Sequence, residues 1–350
     1  MSSPRLKPGD STILISDKKD GAAKRPPSKI EKFANFISKN YSYMVLTTTL
    51  LGIICGFSAP VQVQSLKPYM SPLISVMVYA MTVTIKFSEL AQAPKKFKQI
   101  TLGMILNFGL LPAICFLLAV AFLSSKPTWA VGFILMGTVP CAGMNVVWTG
   151  LLKGDVSLAL IIGALTMILG AVTIPGLTAL LAGVYVSVNV LDLLLYIVTM
   201  LAIPLILGIL TRQVLEAKLG KSVEKYLPIF PPASAVTAII LMFSMLAINM
   251  IMVPGDLSAI ALLVIPPLIV FPVAFGCAHL ICSKILHLPL RESVAIVYSS
   301  GMKHLPLAMG VAFASFGPPA ALPIAISAAF QTVNAGIFYR IFQRIGDSST

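Results

Sequence analysis

The chain has 350 residues, 57% hydrophobic and only 11% charged. Soluble domains carry about 25% charged residues, so a water-soluble globular fold is excluded, and a mean hydropathy of +0.94 assigns most of the chain to lipid. The net charge of +13 does not mark a nucleic-acid binder: nine basic residues fall in the first 39 positions and most others flank apolar segments, as in cytoplasmic loops under the positive-inside rule.

Residues 1–40 read as a disordered basic cytoplasmic tail, with Lys18, Lys19, Lys24, Arg25 and the pair Pro26 and Pro27. The tail's charge suits phosphate or lipid headgroups. The first apolar run starts near Tyr43 with no small-residue cleavage site after it, unlike a signal peptide. A span needs about 20 mainly apolar residues. Such stretches fall at 43–62, 68–87, 100–123, 129–151, 157–182, 189–211, 228–253, 258–282, 293–314 and 320–339. Lys and Arg concentrate after the even-numbered stretches, at Lys95 to Lys98, Lys153, Arg212 to Lys225, Lys284 to Arg291, and Arg340 with Arg344. The loops after the odd-numbered ones hold almost none. The expected architecture is an all-α membrane protein of ten transmembrane helices, multi-pass in the cell membrane, with both termini cytoplasmic.

Within the fourth stretch, Val139 to Trp148 holds a proline, a thiol, a glycine and an amide. In the ninth, Tyr298 to Pro306 repeats the pattern, with Gly143, Met144 and Asn145 matched by Gly301, Met302 and Lys303, 158 positions on. The fourth stretch runs outward to inward and the ninth the other way. Two inverted five-helix repeats follow, at 41–184 and 185–341, with broken, crossing helices four and nine and a cytoplasmic tail at 342–350. Such a pair is the usual frame for a midplane binding site and alternating access. A lone Gly or Pro is more often a packing kink; two matched breaks in opposed halves favour a site, where protein, ions or water satisfy the freed backbone.

Lys303 falls near mid-membrane, where a lysine costs several kcal/mol. A polar cavity accounts for it, and there it binds an anion or exchanges a proton. His304 beside it is a proton carrier or a hydrogen-bonded core residue. The acids after residue 40 (Glu89, Asp155, Asp192, Glu216, Glu224, Asp256, Glu292 and Asp347) all fall near span ends. The remaining intramembrane polar groups are Asn107, Asn145, Ser299, Ser300, Gln331 and Asn334. Each alone is equally an interhelical hydrogen bond; together they outline a neutral cavity with one cation. Cys55, Cys115, Cys141, Cys277 and Cys282 show no disulfide or zinc spacing. Cys141 is a packing thiol or, alternatively, a soft ligand.

Over most of residues 40–340 the chain resembles the bile acid:sodium symporter family. The resemblance rests on Met81 to Leu90, Leu106 to Pro112, Gly301 to His304 followed by Leu307 and Ala308, and Ala321 to Pro323. It implies ten spans, a panel and a core domain, and transport of organic anions, usually with Na⁺. The chain departs from the family where sodium is held. Ser299 replaces a glutamate and Lys303 a glutamine; Ala159 and Gly163 stand at hydroxyl positions. Asn107 replaces a glutamine and Gln331 a histidine, while Asn145 keeps its type. Cys141 to Asp155 also resembles the arsenite efflux permeases, whose ninth-span glutamate is replaced by His304.

The expectation is a secondary transporter of a small organic anion by alternating access. It is not sodium-coupled, because Ser299 and Lys303 replace the sodium residues; protons are the candidate co-ion. The site is drawn from Asn107, Cys141, Asn145, Ser299, Ser300, Lys303, His304, Gln331 and Asn334, with no cofactor, metal or catalytic residue and no nucleic-acid partner. The alternatives are an arsenite-type permease using Cys141, or a receptor that keeps the fold without transporting. A membrane enzyme would need a nucleophile, base or metal set, and only scattered residues are available.

Overall fold

The computed structural model describes residues 29–85, 93–186, 190–250 and 257–348. Expectations that fall on residues 1–28, on Glu89, on the loop 187–189, on the turn Pro254 to Asp256 and on 349–350 lie outside them. The described chain is helical. In order the helices are α1 (Lys29–Ser58), α2 (Pro60–Gln64), α3 (Met70–Val83), α4 (Ala93–Leu123), α5 (Pro127–Thr138), α6 (Met144–Leu151) and α7 (Val156–Ala182). Then follow α8 (Leu191–Leu219), α9 (Phe230–Met250), α10 (Leu257–Leu280), α11 (Leu290–Gly301), α12 (Leu305–Phe316) and α13 (Pro318–Ser348).

Six of these, α4, α7, α8, α9, α10 and α13, are with their flanking turns long and apolar enough to cross a bilayer. The count is seven if α1 and the α2–α3 segment, bent by 114° at Ala59, make one span. Their apolar character does not separate inside from outside. In α7, Ile162 and Met167 are buried while Val172 and Leu180 are more than 70% exposed, as for a helix solvated by lipid on one side and protein on the other.

α1, α3, α8 and α9 pack on one another, and the remaining long helices and half-helices pack as a second group. In that group Phe133 and Ile134 of α5 share a core with Leu307 and Met309 of α12 and Leu322 of α13. Close approach there is set by Gly132, where a Cβ would lie 1.8 Å from the Ala320 carbonyl oxygen.

The ends of the second group are fixed by local chemistry. Pro127 opens α5, a position where its missing N–H costs nothing. Asp155 caps α7 by accepting the Leu158 N–H at 3.0 Å, and its carboxylate also pairs with Lys96. The Asp155 N–H donates to Arg291 O at 2.9 Å, and Gln99 donates to Glu292 at 3.0 Å. The start of α4, the α6–α7 turn and the start of α11 are thereby stapled together at one end of the molecule.

Helical structure reaches into both expected tails. α1 begins at Lys29, inside the stretch expected as an unstructured tail, because Phe33, Phe36 and Ile37 recur at helical spacing and Ile37 is buried. The expected tail 342–350 is helical through Ser348, because Phe342 is buried against Tyr298 and Phe338.

Candidate functional site

The helical path from Pro127 to Leu151 breaks between α5 and α6, and the path from Leu290 to Phe316 breaks between α11 and α12. The two breaks meet. Cys141 and Lys303 form an antiparallel bridge. The Ala142 N–H donates to Met302 O at 2.9 Å and the His304 N–H to Pro140 O at 3.0 Å. Flanking bonds of this kind leave the central pair's own N–H and C=O groups pointing away from each other. Those of Lys303 are taken by Gln331 of α13, whose Oε1 accepts the N–H at 2.8 Å while its Nε2 donates to the carbonyl at 3.1 Å. The Cys141 N–H donates to Thr166 Oγ1 at 3.4 Å. Backbone groups freed by the breaks are thus satisfied within protein, as they must be in hydrocarbon.

The Lys303 side chain is fully buried. Its ammonium donates to Asn107 O, Asn107 Oδ1 and Val139 O, each at 2.8 Å, which uses all three of its protons. It also lies 5.6 Å from the Phe108 ring centroid, within cation–π range. None of the ion pairs among the described residues involves Lys303.

The acceptors are available for backbone reasons. Asn107 sits in a π-helical turn of α4, Leu106–Leu110, where the Leu111 N–H reaches back to Leu106 O. Leu111 therefore does not serve Asn107, and the next residue, Pro112, has no N–H to offer. The Asn107 carbonyl is left open toward Lys303. Val139 is extended at the end of α5 (φ −70°, ψ 158°), so its carbonyl leaves the helical ladder.

A chain of amides continues from this point. Asn107 Nδ2 donates to Ser299 O at 2.9 Å, a carbonyl freed because α11 ends at Gly301. Asn145 Nδ2 donates to Ser299 Oγ at 2.8 Å and to Ala159 O at 3.0 Å, while its Oδ1 accepts the Val146 N–H at 2.7 Å.

Of the nine residues singled out in the sequence, Asn107, Asn145, Ser299, Lys303 and Gln331 form one hydrogen-bonded network, and Cys141 lies opposite Lys303 in the bridge with its own N–H on Thr166. Three do not. Ser300 Oγ donates to its own helix, to Ile296 O at 2.5 Å. His304 caps α12, with Nδ1 accepting the Leu307 N–H at 3.4 Å. Asn334 is buried, and its Nδ2 has no partner. Sequence reading missed the acceptors Val139 O and Ala159 O and the Thr166 hydroxyl. Pro112, five residues after Asn107, was the available signal for the open carbonyl.

The network is closed, but its first break has an open edge. Gly143 is exposed, and Ala142 and Met144 are partly so; a Cβ on Gly143 would lie 3.4 Å from Met81 Cε of α3. A separate cleft of about 580 Å³, lined by residues including Asp192, Tyr196, Thr199 and Ser315, lies between α8 and the end of α12. No residue of the network lines it.

Apolar helices of spanning length, joined breaks and a polar network in the interior define a multi-span membrane protein. Comparison with known proteins makes the class specific. The sequence model of the sodium bile acid symporter family matches residues 71–254, and the chain belongs to that family. It is 25% identical over 195 residues to the "Uncharacterized sodium-dependent transporter YocS" of Bacillus subtilis, covering 56% of this chain and 59% of that one. It is 25% identical over 211 residues to the "Probable sodium/metabolite cotransporter BASS1, chloroplastic" of Arabidopsis thaliana, covering 60% and 51%. It is also 26% identical over 208 residues to the "Arsenical-resistance protein Acr3" of Alkaliphilus metalliredigens, covering 54% and 58%. The chain thus spans between half and three fifths of the length of these relatives.

Proposed function

We propose that the protein is a secondary transporter that carries a small organic anion by alternating access, and that the Lys303 ammonium stands in place of a bound sodium ion. The observation behind this reading is the Lys303 ammonium itself, bound by three neutral oxygens at the meeting point of the two breaks. The chain itself supplies a positive charge there, so no sodium ion need be recruited, and transport is proton-coupled or uncoupled. The proposed site comprises Asn107, Cys141, Asn145, Ser299, Lys303 and Gln331, flanked by Ser300, His304 and Asn334. The substrate meets the crossing at its open edge, Ala142 to Met144. The architecture proposed with it is ten spans in two inverted repeats, 41–184 and 185–341, with both termini cytoplasmic in the cell membrane. The half-helices α5–α6 and α11–α12 are then the fourth and ninth spans.

Uptake of candidate carboxylates and sulfonates into proteoliposomes, with and without a Na⁺ gradient and with an imposed pH gradient, tests this reading. Uptake indifferent to Na⁺ is expected; strong Na⁺ dependence in the native protein would sink it. Cys141 supports a second reading. It is buried in the bridge opposite Lys303, and one matched relative is named for arsenical resistance. Under that reading Cys141→Ser abolishes arsenite tolerance in cells; under the first it does not.

A further inference from the structure

We propose that Asn107 O, Asn107 Oδ1 and Val139 O form a monovalent-cation cage that exists independently of Lys303 and accepts a free ammonium-type cation when the lysine side chain is removed. The inference deepens the reading of Lys303 as a built-in cation and rests on that reading for its functional meaning, but its test involves no transport.

The cage is made by two backbone carbonyls and a fixed Asn107 side chain rather than by the lysine. The Asn107 carbonyl is open because the Leu111 N–H is committed to Leu106 O and Pro112 has none. The Val139 carbonyl is open because the chain turns extended after Thr138. The Asn107 side chain is held in orientation by its own Nδ2 bond to Ser299 O, which leaves Oδ1 facing the ammonium. None of these three causes requires Lys303 Nζ. Three oxygens converging on one buried point cost free energy when nothing donates to them. Truncating Lys303 therefore leaves a preformed, strongly attractive position of known size.

The geometry also states which cation fits. All three contacts are 2.8 Å long, a spacing that suits N–H···O bonds and a larger monovalent ion better than the smaller sodium. The Phe108 face, 5.6 Å from the ammonium, favours an alkylammonium, whose methyl group can lie in the channel vacated by the lysine stem. No carboxylate is among the ligands, so the cage lacks the charge that a divalent ion demands.

The experiment compares native protein, Lys303→Ala and Lys303→Gln, each purified in detergent. Thermal unfolding is followed in methylammonium, ammonium, potassium or sodium chloride, with choline chloride as the ionic-strength control. Lys303→Ala is expected to unfold several degrees lower than the native protein. Methylammonium and ammonium should raise its midpoint by several degrees over choline, with potassium weaker and sodium weakest. Native protein and Lys303→Gln, whose side chains fill the cavity, should show no such selectivity. Asn107→Leu added to Lys303→Ala should remove the response. If Lys303→Ala can be extracted folded only when methylammonium is present, the proposal is supported. If it is folded and insensitive, responds most to sodium, or cannot be folded in any of these salts, the cage does not exist apart from the lysine and the proposal is overturned. Sodium-driven uptake by the native protein, by contrast, would defeat the transport reading without touching this result.

Discussion

The two breaks carry the same Gly-Met frame and exchange one backbone hydrogen bond in each direction, but they differ in side chain and in exposure. The first, Val139 to Gly143, gives Val139 O to the Lys303 ammonium, Pro140 O to the His304 N–H and the Ala142 N–H to Met302 O. It stays partly open, with Gly143 exposed. The second, Met302 to His304, gives the Lys303 ammonium and the His304 N–H as donors and Met302 O as an acceptor, and is buried throughout. At the matched third position Asn145 makes short bonds to Ala159 O and Ser299 Oγ, whereas Lys303 reaches across to α4 and α5. A two-fold pattern in sequence has become one break that carries a cationic side chain and one that carries a neutral amide. That asymmetry lets one buried cation be held without a carboxylate.

The largest expected effect separates the matched third positions. Lys303→Met leaves three buried acceptors without donors, and a loss of about 3–5 kcal/mol is expected, as when one partner of a buried charged interaction is removed. Uptake should fall at least tenfold. Asn145→Ala deletes three neutral side-chain bonds and should cost about 1–3 kcal/mol. Urea or thermal unfolding of the two variants side by side checks the ranking; equal losses would mean the halves are equivalent after all.

The matched glycines give the next contrast. A Cβ on Gly301 would lie 2.2 Å from the Phe275 ring, which is itself wedged against Tyr298 and Phe338. Gly301→Ala should destabilise by about 1–3 kcal/mol through overpacking. At Gly143 the nearest atom is the flexible end of Met81 at 3.4 Å, and the backbone is in the ordinary helical region (φ −59°). Gly143→Ala should therefore change stability by no more than about 0.5 kcal/mol. Any transport defect it shows would come from the open edge, not from folding.

Gln331 sharpens the comparison from outside the breaks. Its amide both accepts from and donates to the Lys303 backbone, a pairing that nothing provides for Cys141 except the long bond to Thr166. Gln331→Leu should cost about 1–3 kcal/mol and loosen Lys303, read as faster hydrogen exchange at residues 301–304 than at 140–143. Equal exchange at both breaks would remove Gln331 from this positioning role.

How much of this was legible in the sequence depends on what signals each feature. The breaks were visible because Gly and Pro interrupt apolar runs, and Lys303 because a buried lysine stands out against a neutral background. Asn107, Asn145, Ser299 and Gln331 were found as polar residues in lipid, but not their connections. Hydrogen-bond partners depend on which carbonyls leave the helical ladder, and a π turn at Leu106–Leu110 leaves almost no trace in composition. Where the His304 and Ser300 side chains bond was hidden for the same reason. Ser300 Oγ bonds its own helix and His304 Nδ1 caps α12, while the His304 N–H takes part in the crossing, none of which polarity alone reveals. The start of α1 at Lys29 was hidden by the lysines around it, which outweighed the apolar spacing of Phe33, Phe36 and Ile37.

The smallest expected effect is the most informative about sodium. A Cβ on Gly163 would lie 3.7 Å from Cys141 Sγ and 3.8 Å from Asn145 Nδ2, ordinary contact distances. Gly163→Ser alone should therefore alter stability by less than about 1 kcal/mol, while placing a hydroxyl beside the amide network on the first-break side. The resemblance to the symporters implies a hydroxyl near this position, a glutamate at Ser299 and a glutamine at Lys303. Lys303→Gln by itself removes the charge but supplies no anion, so it should gain no response to Na⁺. Ser299→Glu with Lys303→Gln and Gly163→Ser restores a carboxylate, an amide and a hydroxyl around the same crossing, and its unfolding midpoint should rise with NaCl over choline chloride. A sodium response in Lys303→Gln alone would show that the lysine was only blocking an intact site. No response in the triple variant would show that the asymmetry of the two breaks extends beyond these three side chains, into the backbone that opens toward Lys303.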